Sequence, residues 1–101
     1  MFRLETVSSD ETILIAIGPI AGDSAAEFGK KIEALVAGRA STVTLHLSQS
    51  SGMNSESIGK LLSLRKTLVE QKRVLRIQGC SDQLWSVFKM IKLDSLIPME
   101  K

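Results

Sequence analysis

The residues with the most chemical potential are crowded between His46 and Ser57, in the run HLSQSSGMNSES. Ser48, Ser50, Ser51, Ser55 and Ser57 each bring a hydroxyl, and Gly52 and Asn54 interrupt them with residues suited to a turn and a helix cap. This chemistry suits a phosphoacceptor or an anion contact. A serine in the first turn of a helix faces unpaired backbone N–H groups and the positive end of the helix dipole. Ser55 also has a plainer reading, as a helix-start residue whose short polar side chain satisfies those N–H groups.

Two other side chains have nucleophile or base chemistry. His46 suits a base or a metal ligand, but the chain has no second histidine and a triad would need a carboxylate from elsewhere, so a satisfied, partly buried imidazole is the favoured reading. Cys80 stands at a strand end just before a helix opened by Ser81, where a helix dipole would lower a thiol pKa. A small buried residue is the favoured reading for Cys80. No glycine-rich phosphate loop and no cluster of metal-ligating residues accompanies them. The expectation is therefore no catalytic residue, no metal and no cofactor.

The elements that must position the serines are legible from periodicity. Phe2 to Val7 reads as a strand, Ser8 to Glu11 as a turn, and Thr12 to Ile17 as a strand apolar on both faces, which predicts a central strand covered on both sides. Gly18-Pro19 breaks it. Ser24 with Glu27 reads as the capping box of a helix whose stripe is Ala25, Phe28, Ile32, Leu35 and Val36, stopped at Gly38. Thr42 to Leu47 alternates as a third strand, with Val43, Leu45 and Leu47 on one face.

After the serine loop, Ile58, Leu61, Leu62, Leu64, Leu68 and Val69 recur at helical spacing from Ser55 to about Gln71. Arg73 to Gln78 is a fourth strand. Ser81 and Asp82 open a third helix with Leu84, Val87, Phe88 and Ile91 as its buried stripe, and Leu93 to Met99 forms a short terminal strand or extended edge. Trp85 and Met90 fall beside that stripe, as a docking patch or as packing beneath the C-terminal segment. Lys60, Arg65, Lys66, Lys72, Arg73 and Arg76 outnumber Glu70 in the central section, either steering an acidic partner or forming a solvated face. The alternation of strand and helix predicts an α/β fold with a mixed, mainly parallel sheet of four to five strands and helices chiefly on one face.

Composition sets the outer bounds. With 101 residues and 44% hydrophobic content, residues 1–101 should form one domain around one core. A formal charge of +2 falls short of the basic face of a dedicated nucleic-acid binder. The lone Cys80 excludes an intrachain disulfide, and MFRLETVSSDET lacks the basic-then-apolar run of a secretory signal, so a cytoplasmic setting is expected. Apolar runs such as Ile13 to Ile17 are too short to cross a bilayer as a helix, and no membrane insertion is expected.

The segment VTLHLSQSSGMNSESIGKLLSLRKTL, followed by GCSDQLWSVFKMIKLDSLIPM, resembles the STAS domain of bacterial anti-sigma factor antagonists over nearly the whole chain. In that family a strand ending in an Asp-Leu-Ser-like tripeptide precedes an Asp-Ser pair, a small residue and a glycine that open the second helix. His46-Leu47-Ser48 stands for the tripeptide here, and Asn54-Ser55-Glu56-Ser57 for the helix opening. Lys92 to Ile97 takes the place of the family's Gly-Leu-x-x-hydrophobic end. The chain departs from the pattern at Asn54, Ser57 and His46, where the family usually has an acidic residue, a glycine and an aspartate.

The resemblance implies a regulatory, bacterial-type signalling protein acting in transcription control. It would bind a serine-kinase anti-sigma factor through Gly52, Met53, Asn54, Ser55, Glu56 and Ser57, and be switched off by phosphorylation at Ser55. ATP would belong to the kinase, and a separate serine phosphatase would reverse the modification. A second reading within the fold is a non-catalytic subunit docking on a transporter ATPase, for which the uncharged Asn54 is suited. A third, of another class, is a small hydrolase or transferase using Ser55 or Cys80.

Overall fold

A computed structural model describes residues 1–101. Five strands form one sheet in chain order: β1 (Phe2–Thr6), β2 (Glu11–Ile17), β3 (Thr42–Gln49), β4 (Val74–Cys80) and β5 (Met99–Glu100). β1 pairs antiparallel with β2 across a short turn, and every other neighbouring pair is parallel. Parallel joins need crossovers, which are supplied by α1 (Asp23–Ala37), α2 (Ser55–Glu70) and α3 (Asp82–Met90), the last followed by a 3-10 turn at Leu93–Ser95. The C-terminal segment expected as strand or extended edge is thus that turn and then a two-residue edge strand.

One row of side chains shows how the core is built. Leu14 lies opposite Leu45, and Leu45 opposite Ile77, each almost fully buried. Phe2, Val43, Leu47 and Leu75 share this face, and Phe28, Leu35, Leu61, Leu64, Leu68, Leu84 and Phe88 from the helices close over it in a single cluster. Phe2 and Phe28 stack with ring centroids 5.7 Å apart, tying α1 to β1.

The opposite sheet face corrects one expectation. β2 is central, but Ile13, Ile15 and Ile17 are only half-buried, because the helices gather on the other face. Their β-branched side chains still suit a pleated surface. On the same face Thr44 is fully buried and its Oγ1 donates to Glu11 Oε2 at 2.9 Å.

The helices differ from the sequence expectation in three places, at the start of α1 and in the buried stripes of α3 and α2. Gly22, with φ 58°, precedes α1, and Ser24 caps nothing; its hydroxyl donates to the Pro19 and Ala21 carbonyls inside the preceding turn. In α3 only Leu84 and Phe88 are buried, while Val87 and Ile91 are exposed and half-buried Trp85 packs against the core. A nine-residue helix lying across one edge of the core buries a narrower stripe than the periodicity allows. In α2, likewise, Leu62 and Val69 face outward.

The end of α2 carries a motif that the sequence hides. Lys72 takes φ 60°, its N–H donates to the Val69 carbonyl at 3.0 Å, and the Arg73 N–H donates to the Leu68 carbonyl at 2.7 Å. This pairing is the Schellman arrangement, in which glycine normally fills the left-handed position. Arg73 then turns its guanidinium onto the end of α1, donating to the carbonyls of Leu35 at 2.9 Å, Val36 at 3.1 Å and Ala40 at 2.7 Å. It is therefore a structural residue rather than part of a solvated basic face.

These contacts set two expectations for chemical unfolding. Arg73→Met should cost about 2–3 kcal/mol, since it strips a charged donor from three carbonyls at the close of α1. Lys72→Gly should add about 0.5–1 kcal/mol by relieving the left-handed backbone. Urea titration of the two variants against wild type measures both signs.

Candidate functional site

The C-terminal ends of β2, β3 and β4 bring three loops to one edge of the sheet, where ligands of open α/β sheets usually sit. The loop after β3 is stitched to the loop after β2 by backbone alone. Gly18 N–H donates to the Gln49 carbonyl at 2.9 Å, Ile20 N–H to the Gly52 carbonyl at 2.9 Å, and Asn54 N–H to the Ile20 carbonyl at 3.0 Å. Ile20 is buried beneath, in a parallel bridge with Met53. On the other side the Ser81 hydroxyl donates to the Ser50 carbonyl while also capping α3 by accepting from Leu84 N–H. Ser50 itself is fully buried.

Held in this way, the loop delivers α2 at a fixed place. Asn54 is the N-cap, with extended backbone and Oδ1 accepting from Ser57 N–H at 2.9 Å. Ser55 is the first helical residue and is exposed. Glu56 is exposed and sits 3.3 Å from Lys60 Nζ, one turn along the helix. Gly52, Met53 and Asn54 are half-buried, and Met53 packs against the core.

Ser57, expected among the exposed contact residues, is turned inward. It begins the inward stripe Ser57, Leu61, Leu64, Leu68, and its side chain has no exposed surface for a partner. Its hydroxyl oxygen is buried without a hydrogen-bond partner. The serine spacing gave no sign of this, because a polar residue in a first turn is usually solvated.

The remaining candidates do not converge on Ser55. His46 is half-buried on the open sheet face, its Nε2 2.8 Å from the Ser48 hydroxyl. Its ring fits because Gly79, with φ 78°, has no side chain: a Cβ there would lie 2.7 Å from the imidazole Cε1. That packing had no sequence signal beyond the glycine itself. Cys80 is buried, and burial pushes its thiol up to about 11 although Lys101 pulls the other way. The lowered thiol pKa weighed for a nucleophile is thus reversed, since lost hydration outweighs the pull of Lys101. The cleft between α1 and α2, lined by Gly29, Lys30, Glu33, Lys60 and Ser63 among others, contains neither Ser55, His46 nor Cys80.

The basic residues also divide. Arg73 caps α1, and Arg65 Nε donates to the Leu96 carbonyl at 3.0 Å. Lys66 and Lys72 remain on the surface. Lys89 lies 5.7 Å from the Trp85 ring centre, and Met90 is 78% exposed, so Trp85 belongs to the core margin and Met90 to the surface. No helix is long and apolar enough to cross a membrane.

A model of the STAS domain family matches residues 3–101. No curated protein matches the sequence. Among solved structures, the unphosphorylated anti-sigma factor antagonist SpoIIAA superposes with a TM-score of 0.84 at 19% identity, over 100% of this chain and 89% of that one. The phosphorylated form of SpoIIAA, the Bacillus cell fate determinant, gives 0.78 at 19% identity, over 100% and 92%. An anti-sigma factor antagonist from Mycobacterium paratuberculosis gives 0.86 at 16% identity, over 98% and 83%. These likenesses show the same fold.

Two variants separate capping from burial at this helix start. Asn54→Ala should cost about 0.5–2 kcal/mol by removing the cap. Ser57→Ala should stabilise by about 1–2 kcal/mol, because it removes a buried hydroxyl that has no partner. Paired thermal and urea unfolding reads both. For Cys80 the sign follows from its raised folded value: its contribution is intact below the unfolded thiol range and is lost as pH climbs from about 9 towards 11. Stability measured across that window should fall for wild type and fall less for Cys80→Ala.

Proposed function

The chain belongs to the STAS domain family, and from that membership we propose that it is an anti-sigma factor antagonist, a protein-binding switch controlled at Ser55. It binds a serine-kinase anti-sigma factor through the surface formed by Gly52, Met53, Asn54, Ser55 and Glu56. The kinase transfers phosphate from ATP to Ser55, which releases the complex, and a separate serine phosphatase restores the hydroxyl. This chain contributes no catalysis and needs no cofactor, nucleic acid or membrane. The setting is the cytoplasm.

One observation carries the proposal: Ser55 is the first residue of α2, exposed, directly after a loop tied by backbone hydrogen bonds on one side and by the Ser81 hydroxyl on the other. A kinase can reach a hydroxyl so placed without unfolding anything. Phosphorylation adds a charge of about −1.5 to −2, which the N-terminus of a helix tolerates within the protein and a close-packed partner surface does not. The neighbouring serines fit less well. Ser50 and Ser57 are buried, Ser48 is engaged with His46, and Ser51 lies ahead of the cap, outside the helix. SpoIIAA, with which the fold is shared, has been seen in phosphorylated and unphosphorylated forms.

Substitution at one position tests the switch. Ser55→Asp should lower affinity for the anti-sigma factor by at least about tenfold, while Ser55→Ala stays within about threefold of wild type. Both should unfold within about 1 kcal/mol of wild type, since an acidic residue is favoured at a helix start and the cap itself is Asn54. Incubation with the kinase and ATP should label wild type and Ser51→Ala but not Ser55→Ala. Equal affinity for all three forms at position 55, or labelling that survives Ser55→Ala, would overturn the proposal.

A further inference from the structure

β1 is an edge strand with β2 on one side and nothing on the other. Its hydrogen-bonding phase is fixed at both ends: Met1 exchanges both backbone bonds with Ile17, at 2.8 and 2.9 Å, and Val7 N–H donates to the Glu11 carbonyl at 3.0 Å. In an antiparallel ladder this alternation turns Arg3 and Glu5 backbone groups towards β2, and those of Phe2, Leu4 and Thr6 outward. The strand has no proline, and its pairing with β2 has no bulge. Such edges invite further pairing unless they are guarded. On the helix side Leu4 continues the row of Leu14, Leu45 and Ile77, yet it is 44% exposed where those are buried.

We propose that the occupant of this edge is a second copy of the same chain, joined β1 to β1 in antiparallel fashion about a twofold axis at Leu4. In that register Leu4 meets Leu4 of the second copy, Phe2 meets Thr6, and all outward backbone groups of these residues find partners. Arg3 then stands directly opposite Glu5 of the second copy, and Glu5 opposite its Arg3. These are the non-hydrogen-bonded positions, where facing side chains are closest. Arg3 and Glu5 already pair along the strand at 2.7 Å on the exposed face, so the dimer sets four charges in alternating sign.

The charges also select the register. Sliding the pair to centre on Arg3 sets Arg3 against Arg3, and centring on Glu5 sets Glu5 against Glu5, each with like charges opposed. The Leu4-centred arrangement alone matches sign with sign while keeping the outward groups in phase. The contact is one strand wide and well below the roughly 1,200 Å² of a standard interface, so the association is weak and reversible. It does not include the loop that carries Ser55, and it stands independently of the role proposed for that loop.

Sedimentation equilibrium from micromolar to millimolar concentration tests this with charge reversals. Wild type should dimerise as concentration rises. Arg3→Glu and Glu5→Arg should each weaken self-association about tenfold, because both cross-strand pairs become like-charged. An equal mixture of the two single variants should associate again, as heterodimers with every pair restored, and the double variant Arg3→Glu/Glu5→Arg should match wild type. Circular dichroism should show all four folded, because an exposed ion pair contributes little to stability. A wild type that stays monomeric to millimolar concentration, single reversals that dimerise like wild type, or a mixture that does not associate would each overturn the proposal.

Discussion

Two parallel strands cannot be joined by a tight turn, and this one restriction organises the molecule. Each parallel join must leave the sheet, cross over and return, and such crossovers take one hand. Here the strands from β2 to β5 are laid down in chain order, so each crossover steps in the same direction. The helices consequently share one face. The row Leu14, Leu45, Ile77 becomes the floor of the core, the isoleucines of β2 are left half-covered on the reverse, and the loops leaving the C-terminal strand ends are gathered at one edge.

At that edge the decisive feature is the way backbone groups are spent. Gly18 with Gln49, and Ile20 with Gly52 and Asn54, satisfy one another across the two loops, and the Ser50 carbonyl takes the hydroxyl that also caps α3. A loop tied in this manner presents its polar side chains without needing them for its own shape. Asn54 is used as the cap, which leaves the Ser55 hydroxyl free of structural duty. Ser57 shows the opposite case, a hydroxyl turned inward by helical phase and left without a partner. Three residues of similar chemistry thus acquire three physical roles within one turn.

Much of this was legible in the residues. The alternation of Val43, Leu45 and Leu47 and the helical recurrence of Leu61, Leu64 and Leu68 read correctly because burial on one face imposes a period. The start of α2 read correctly because a cap residue and a change of period coincide. The start of α1 did not: Ser24 and Glu27 fit the pattern of a capping box, but Gly22 makes the turn and Ser24 hydrogen-bonds backward. Val87 and Ile91 shared a period with Leu84 and Phe88, although only tertiary placement decides how wide a stripe a short helix buries. Lys72 in a left-handed position and Arg73 on distant carbonyls were out of reach, since neither residue type announces such use.

Arg73 has a consequence for the order in which the chain becomes structured. The carbonyls it satisfies belong to residues up to 38 positions earlier, at the close of α1. That helix ends at Gly38 in an extended conformation rather than a left-handed cap, so its last turn depends on a donor supplied from the start of β4. On a ribosome, α1 emerges well before that donor does. Its final turn therefore lacks that donor until β3, α2 and the turn through Arg73 have followed, and completion of the first crossover waits upon the second. Non-local dependence of this kind slows folding, because the chain must close on itself before the contact rewards it.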